Sequence, residues 1–98
     1  MSLPIIFRPI ARLEMDDAMG WHRKQKVGLE AEFKDAVDQM LERIAAAPLR
    51  FGPTRGEVRR ALLRRFPYAI HFVPEPNAII VLAVFHTKRA PRHLEGRS

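Results

Sequence analysis

Apolar residues recur at helical spacing in the first half of the chain and form strand-like runs in the second half. The clearest helical run has an apolar residue at every third or fourth position: Leu29, Phe33, Val37, Met40, Leu41 and Ile44. It predicts a helix over residues 29–46. A weaker run from Ala11 to Trp21 or His22 predicts a helix over residues 10–25, with Trp21 in the core. Because Gly28 leaves only a short connection, the two helices are expected to form an antiparallel hairpin.

Four segments are rich in β-branched and aromatic residues and predict strands. They are Pro4–Arg8, Val58–Arg65, Tyr68–Val73 and Ile79–His86. The last three are separated by Phe66-Pro67 and by the Pro-Glu-Pro-Asn turn at residues 74–77. Connections this short cannot cross over a sheet, so these three strands are predicted to form an antiparallel meander.

The segment from Ile79 to Phe85 contains only apolar residues, which is typical of a central strand covered on both faces. The helical hairpin can cover one face, and we expect the residues of the 29–46 run to contact this strand. The other face then needs cover from the C-terminal tail or from another chain. The prediction is a single α+β domain over residues 1–98, made of an N-terminal strand, a helical hairpin and a three-stranded meander.

Composition narrows the function classes. The chain contains no cysteine, which excludes disulfides and thiolate metal sites, and it has no apolar stretch long enough to span a membrane. We therefore expect a cytoplasmic protein without a membrane partner. The net charge of +6 lies wholly in residues 55–98, because residues 1–54 carry equal numbers of basic and acidic side chains. Such a local positive field attracts phosphates or an acidic protein.

The basic residues that could bind such a partner fall in two groups. They are Arg59, Arg60, Arg64 and Arg65 in the first predicted meander strand, and Lys88, Arg89 and Arg92 in the tail. In a strand, Arg59 and Arg65 would lie on one face and Arg60 and Arg64 on the other. Guanidinium groups suit phosphate and carboxylate equally, so RNA, DNA and an acidic protein all remain open as ligands. The alternative is an edge strand protected by its charge.

Residues with proton-transfer chemistry are few. His86 and Tyr68 are catalytic candidates of this kind, and Arg64 is a third catalytic candidate as a cation for the phosphate. Tyr68 and His71 are expected on opposite faces of their strand, so they would not act on one phosphate together. His86 and His93 are spaced too irregularly for a metal site, and we expect neither a metal nor a cofactor. The carboxylates Glu14, Asp16 and Asp17 are interpreted as favourable charges in the first turn of a helix rather than as catalytic groups.

Three stretches of the sequence resemble the RelE/ParE family of bacterial type II toxins. FRPIARLEMDDAMGWH is similar to the family's first strand and helix, and RRALLRRFPYAIHF and VLAVFHTKRAP are similar to two consecutive sheet segments. The resemblance covers nearly the whole chain. It implies a toxin that inhibits growth, contributes to plasmid stabilisation and is neutralised by a cognate antitoxin, as a homodimer or a toxin–antitoxin hetero-oligomer.

The family divides by target, and fold alone does not separate the branches. RelE-like members cut messenger RNA on the ribosome, and ParE-like members poison DNA gyrase. Nuclease members commonly carry arginine after the tyrosine that corresponds to Tyr68, but this chain has Ala69 there. It also has Leu94 where a terminal tyrosine or histidine is common. Ala90 stands where aspartate often precedes the proline. The interpretation is a ParE-like gyrase inhibitor rather than an enzyme. The alternatives are a ribosome-dependent endoribonuclease and a non-toxic basic module that binds nucleic acid or protein.

Overall fold

The computed structural model describes residues 2–89, 94, 96 and 97. Within them lie five strands, two helices and a short 3-10 turn. The elements in chain order are β1 (Ile5–Phe7), α1 (Pro9–Gln25), α2 (Leu29–Ala46), the 3-10 turn Pro48–Arg50, β2 (Pro53–Arg55), β3 (Val58–Leu62), β4 (Tyr68–Glu75) and β5 (Ala78–His86). This order confirms the predicted α+β class.

Both helices begin and end within a residue or so of their predicted bounds. Pro9 stands at the start of α1, where a residue without an amide proton is tolerated because the first helical amides have no partner. Gly28 precedes α2 with φ of +87°, a left-handed conformation that side chains disfavour. The Arg23 guanidinium pairs with Glu30 across this turn. The hairpin therefore follows from one helix-starting proline and one glycine turn.

The sheet is mixed and has the strand order β1-β5-β4-β3-β2. Strands β3, β4 and β5 form the predicted antiparallel meander, and β1 adds to the far side of β5 in parallel. The sequence did not predict β2, which has three exposed residues and pairs with β3 across the turn at Gly56. Strand β3 ends at Leu62, so the prediction that it continues to Arg65 is wrong.

The main core lies between the helices and one face of the sheet. It unites Phe33, Val37, Met40 and Ile44 of α2 with Ile79, Val81 and Val84 of β5, and Leu41 packs against it partly buried. The helix that runs closest to β5 is α1, which inserts Ala11, Met15 and Ala18. Neither helix in the described part of the chain is long and apolar enough to cross a bilayer.

The opposite face of the sheet, called here the open face, is also largely buried along β5. Ala78, Ile80 and Leu82 form one small cluster, and Ala83 and Phe85 form another with Leu94 from the C-terminal segment. The expectation that the tail covers this face is therefore confirmed at Leu94. Its side chain is 9% exposed.

A bulge in β5 creates an irregular edge next to α1. The register with β4 pairs His71 with Ala83 but Phe72 with Val81, which leaves Leu82 as the extra residue. Beyond Phe7 the β1 strand has ended, and the Arg8 amide makes the last main-chain bond to β5, at the Val81 carbonyl. The backbone groups of β5 that follow need other partners, and side chains supply them at the candidate site.

Candidate functional site

A groove of about 620 Å³ runs between α1 and the ends of β4 and β5. This groove, called the aromatic groove, is lined mainly by rings: Trp21, His22, Phe66, Tyr68, Phe85 and His86. Asp17 and Glu14 of α1 and Arg89 after β5 supply the charges on its wall. An apolar cavity with a few convergent polar groups is the usual form of a binding site.

Tyr68 and His86, two of the candidates from the sequence, lie side by side in this groove. They are cross-strand partners on β4 and β5, and their ring centroids are 5.4 Å apart. Burial raises the pKa of Tyr68, although the positive charge of Arg89 opposes this shift. The phenol is therefore a neutral hydrogen-bond donor at neutral pH rather than a base.

The ring of His86 is held in one orientation by its own turn. The Lys88 amide donates to His86 Nδ1 at 3.1 Å, and the Arg89 amide donates to the His86 carbonyl at 3.0 Å. Because Nδ1 accepts a hydrogen bond from an amide, the neutral ring carries its hydrogen on Nε2. The lone pair that would accept a proton from a substrate is thus already occupied.

Glu14 closes the irregular edge of β5. One carboxylate oxygen accepts the Val84 amide at 3.1 Å, and the Arg97 guanidinium bonds both oxygens at 2.9 and 3.1 Å while also donating to the Leu82 carbonyl at 3.2 Å. The Glu14 and Arg97 side chains are only 11% and 13% exposed. Helix α1 begins at Pro9 and has no acidic residue in its first turn, so the first-turn interpretation of Glu14, Asp16 and Asp17 is wrong.

His22 and not Trp21 occupies the inner position near the end of α1, so the prediction that Trp21 lies in the core is wrong. Trp21 is 55% exposed at the groove, and His22 is 2% exposed in the core. The His22 ring stacks on Phe33 with centroids 4.3 Å apart, and its Nδ1 lies 2.6 Å from the Ala18 carbonyl as the donor. The intrahelical bond satisfies the polar edge of the ring, which lets a histidine occupy the inner face.

Comparisons with solved structures give the fold a family context. A chain from the chromosomal ParDE toxin–antitoxin system of P. aeruginosa superposes with a TM-score of 0.68 at 16% identity, covering 87% of this chain and 96% of that one. A RelBE toxin–antitoxin complex from Mycobacterium tuberculosis gives 0.58 at 18% identity, covering 88% and 99%. A free arginine-to-alanine double mutant of the E. coli toxin RelE gives 0.60 at 18% identity, covering 90% and 86%.

The chain has the RelE/ParE toxin fold. At the level of sequence, no family model and no curated protein matches it. The likeness is therefore one of structure, and it agrees with the resemblance found in the three sequence segments.

Within this toxin fold, the position after Tyr68 lies on the open face. Ala69 is 2% exposed, and the next residue on the same face of β4 is His71, which is 6% exposed and 4.8 Å from the Phe85 ring centroid. Burial lowers the pKa of His71 to about 4, and the charges of Arg60 and Arg97 add to the effect. His71 Nδ1 is buried and has no hydrogen-bond partner among the residues that the structure describes. The His71 ring is therefore neutral at physiological pH.

The four candidate arginines do not lie on the two faces of one strand as predicted, because β3 ends at Leu62, before Arg64 and Arg65. Arg60 is exposed beside His71 on the open face, whereas Arg59 donates to the Phe51 carbonyl. Arg64 lines a concavity against α2, and Arg65 pairs with Glu32 of α2 at 2.6 Å.

The tail candidates are only partly covered by the described residues. Arg89 lines the aromatic groove and Lys88 is exposed next to it, while Arg92 and His93 lie outside the described residues. Arg64, the third catalytic candidate, is not among the residues that line the groove with Tyr68 and His86. In residues 2–89, 94, 96 and 97, no three histidine or carboxylate side chains come together as a metal cluster.

Proposed function

We propose that this chain is the toxin of a bacterial type II toxin–antitoxin module, that it inhibits DNA gyrase in the cytoplasm, and that a cognate antitoxin neutralises it. The fold supports a toxin, because similar chains belong to toxin–antitoxin systems of both the ParDE and RelBE types. The antitoxin as partner rests on the same likeness. Because fold alone does not separate the ParE-like and RelE-like branches, the choice of target rests on the residues of the aromatic groove.

The state of His86 is the observation that carries the choice of target. Cleavage of RNA by its own 2′-hydroxyl needs a proton acceptor, a cation on the phosphate and a proton donor for the leaving oxygen. The Nδ1 lone pair of His86 accepts the Lys88 amide, and Tyr68 stays neutral. Glu14 is saturated by Arg97 and the Val84 amide. His22, the other histidine that lines the groove, is 2% exposed in the core. The groove therefore holds donors and a cation, but His86, its more exposed histidine, has no free lone pair to act as the base.

The absence of a phosphate clamp at position 69 supports the same choice. The resemblance places an arginine after the tyrosine in nuclease members, but Ala69 offers only a methyl group and is 2% exposed. Loss of one such contact typically costs about 100-fold to 1,000-fold in rate. A chain that lacks both a phosphate-binding arginine and a free base would be a poor nuclease.

A ribosome-dependent mRNA endonuclease is the second candidate function, and one observation favours it. Tyr68 and His86 lie together with Arg89 on one groove wall, where a phosphate could meet a cation and two donors. Asp17 is an exposed carboxylate on the α1 side of the groove and would have to serve as the base. This activity requires the message to bind in the aromatic groove.

Inducible expression in a bacterium tests the toxin proposal. We expect growth arrest on induction, rescue by co-expression of the antitoxin gene from the same operon, and normal growth from a matched gene with an early stop codon. Unimpaired growth with the protein present and folded would contradict the proposal and favour a non-toxic module that binds nucleic acid or protein.

A further inference from the structure

A second concavity, on the far side of the helical hairpin from the aromatic groove, has the composition of a binding site. It measures about 460 Å³ and lies between α2 and the turn that joins β3 to β4. We name it the arginine concavity. Its wall carries Arg43, Arg64 and Arg65 together with Gln39, and its floor consists of Ala36, Met40 and Leu63. The positive residues come from both halves of the sequence.

Two of the three guanidinium groups are available to a ligand. Arg65 is held by Glu32 at 2.6 Å, so its charge is largely matched. Arg64 is exposed and makes no hydrogen bond or ion pair with any residue that the structure describes. The Arg43 guanidinium lies 6.0 Å from the Phe51 ring centroid and has no carboxylate partner in the described part of the chain. Two arginines with unused donors thus flank one depression.

The floor of the concavity distinguishes between the anions that arginine binds. Guanidinium forks take carboxylate and phosphate equally well. Met40 and Leu63 are 6% and 7% exposed, so the surface between the arginines is made by nearly buried apolar side chains. A sugar-phosphate backbone gains little from such a floor, whereas a peptide can place an apolar side chain on it next to a carboxylate.

We propose that the arginine concavity binds an acidic segment of a protein partner, with a carboxylate between Arg43 and Arg64 and a neighbouring apolar side chain on Met40 and Leu63. Identifying that partner with the antitoxin rests on the proposed function, but the site and its ligand chemistry do not. Of the four arginines that the sequence suggested for partner binding, Arg64 alone supplies a free guanidinium here, and Arg43 is a new member.

Nuclear magnetic resonance titration of the labelled full chain tests the site. The probe is a short, blocked peptide that alternates glutamate and leucine. We expect saturable shifts confined to residues 36–43 and 63–65, with affinity lowered about tenfold or more in Arg43→Glu/Arg64→Glu. That double variant should instead bind the matching lysine–leucine peptide. Arg50→Glu/Arg55→Glu is the control, because it reverses two exposed charges that do not line the concavity.

Three results would overturn the proposal: no saturable shifts at the concavity, an equal loss of affinity in the control variant, or binding of an oligothymidine probe there in preference to the peptide. The spectrum of each variant reports directly whether it is folded. Because the titration measures neither growth nor gyrase activity, its failure is distinct from failure of the proposed function. A non-toxic chain whose concavity binds the peptide would contradict the proposed function alone. A toxin whose concavity does not bind the peptide would contradict this inference alone.

Discussion

Removing the carboxylate of Glu14 should destabilise the chain more than an ordinary surface change. In Glu14→Ala the Val84 amide loses its acceptor, which costs about 1 to 3 kcal/mol for a buried donor. The two bonds from Arg97 are charge-assisted and contribute a similar amount, reduced because the released guanidinium can turn to water. We expect the free energy of unfolding to fall by about 2 to 4 kcal/mol.

Urea denaturation and thermal unfolding measure this loss directly. A decrease of about 3 kcal/mol corresponds to a fall in Tm of roughly 12 to 24 °C for a domain of this size. Asp17→Ala is the matched control, because Asp17 is an exposed carboxylate on the same helix, and it should change stability by less than about 0.5 kcal/mol.

A double-mutant cycle of Glu14→Ala with Arg97→Ala isolates the pair. We expect a coupling free energy of at least about 1 kcal/mol. The reasoning is refuted if Glu14→Ala is no more harmful than Asp17→Ala, or if the two substitutions are additive.

Three further predictions follow from the core and the groove. His71 has a folded pKa of about 4 against an ordinary 6.5, so the unfolded chain binds the proton more readily. The resulting stability, about 3 kcal/mol at most, is present above pH 6.5 and is lost as pH falls through 4, and urea titrations should show no such loss in His71→Leu. Phe33→Ala should cost about 3 to 5 kcal/mol in the same assay, because Phe33 is 0% exposed, and a loss below about 1 kcal/mol would contradict the core assignment. Trp21→Ala should lower stability by less than about 1 kcal/mol but weaken growth arrest, and full toxicity would exclude the groove as the toxic surface.

The order of the helices and of all strands except β2 could be predicted from the sequence because each of these elements carries a local signal. The helical spacing of α2, the glycine before it and the proline-rich turns between the strands all act within a few residues of the chain. Strand β2 carries no such signal, since its three residues are exposed and it forms only by pairing with β3. The parallel position of β1 depends on contacts more than 70 residues apart.

The candidate site could be predicted only in part. Tyr68 and His86 were catalytic candidates from the sequence, and the structure places both in the aromatic groove because an antiparallel pair of adjacent strands brings them opposite each other. Their catalytic role stays a prediction. Glu14 carried one usable signal: it lies three residues after Ala11 and four before Ala18, so it belongs to the inner stripe of α1. Its partner Arg97 was not predictable, because the tail reaches Glu14 only after the β5 bulge exposes the edge.

The most direct test of the proposed target adds the purified chain to gyrase with supercoiled plasmid and, in parallel, to ribosomes paused on a defined message. Only the endonuclease candidate requires a catalytic site at Tyr68 and His86, so the two assays separate the candidate functions. We predict trapped double-strand DNA breaks with gyrase and an intact message on the ribosome. Codon-specific cuts in the message that disappear with His86→Ala, without any effect on gyrase, would contradict the proposal and establish the endonuclease.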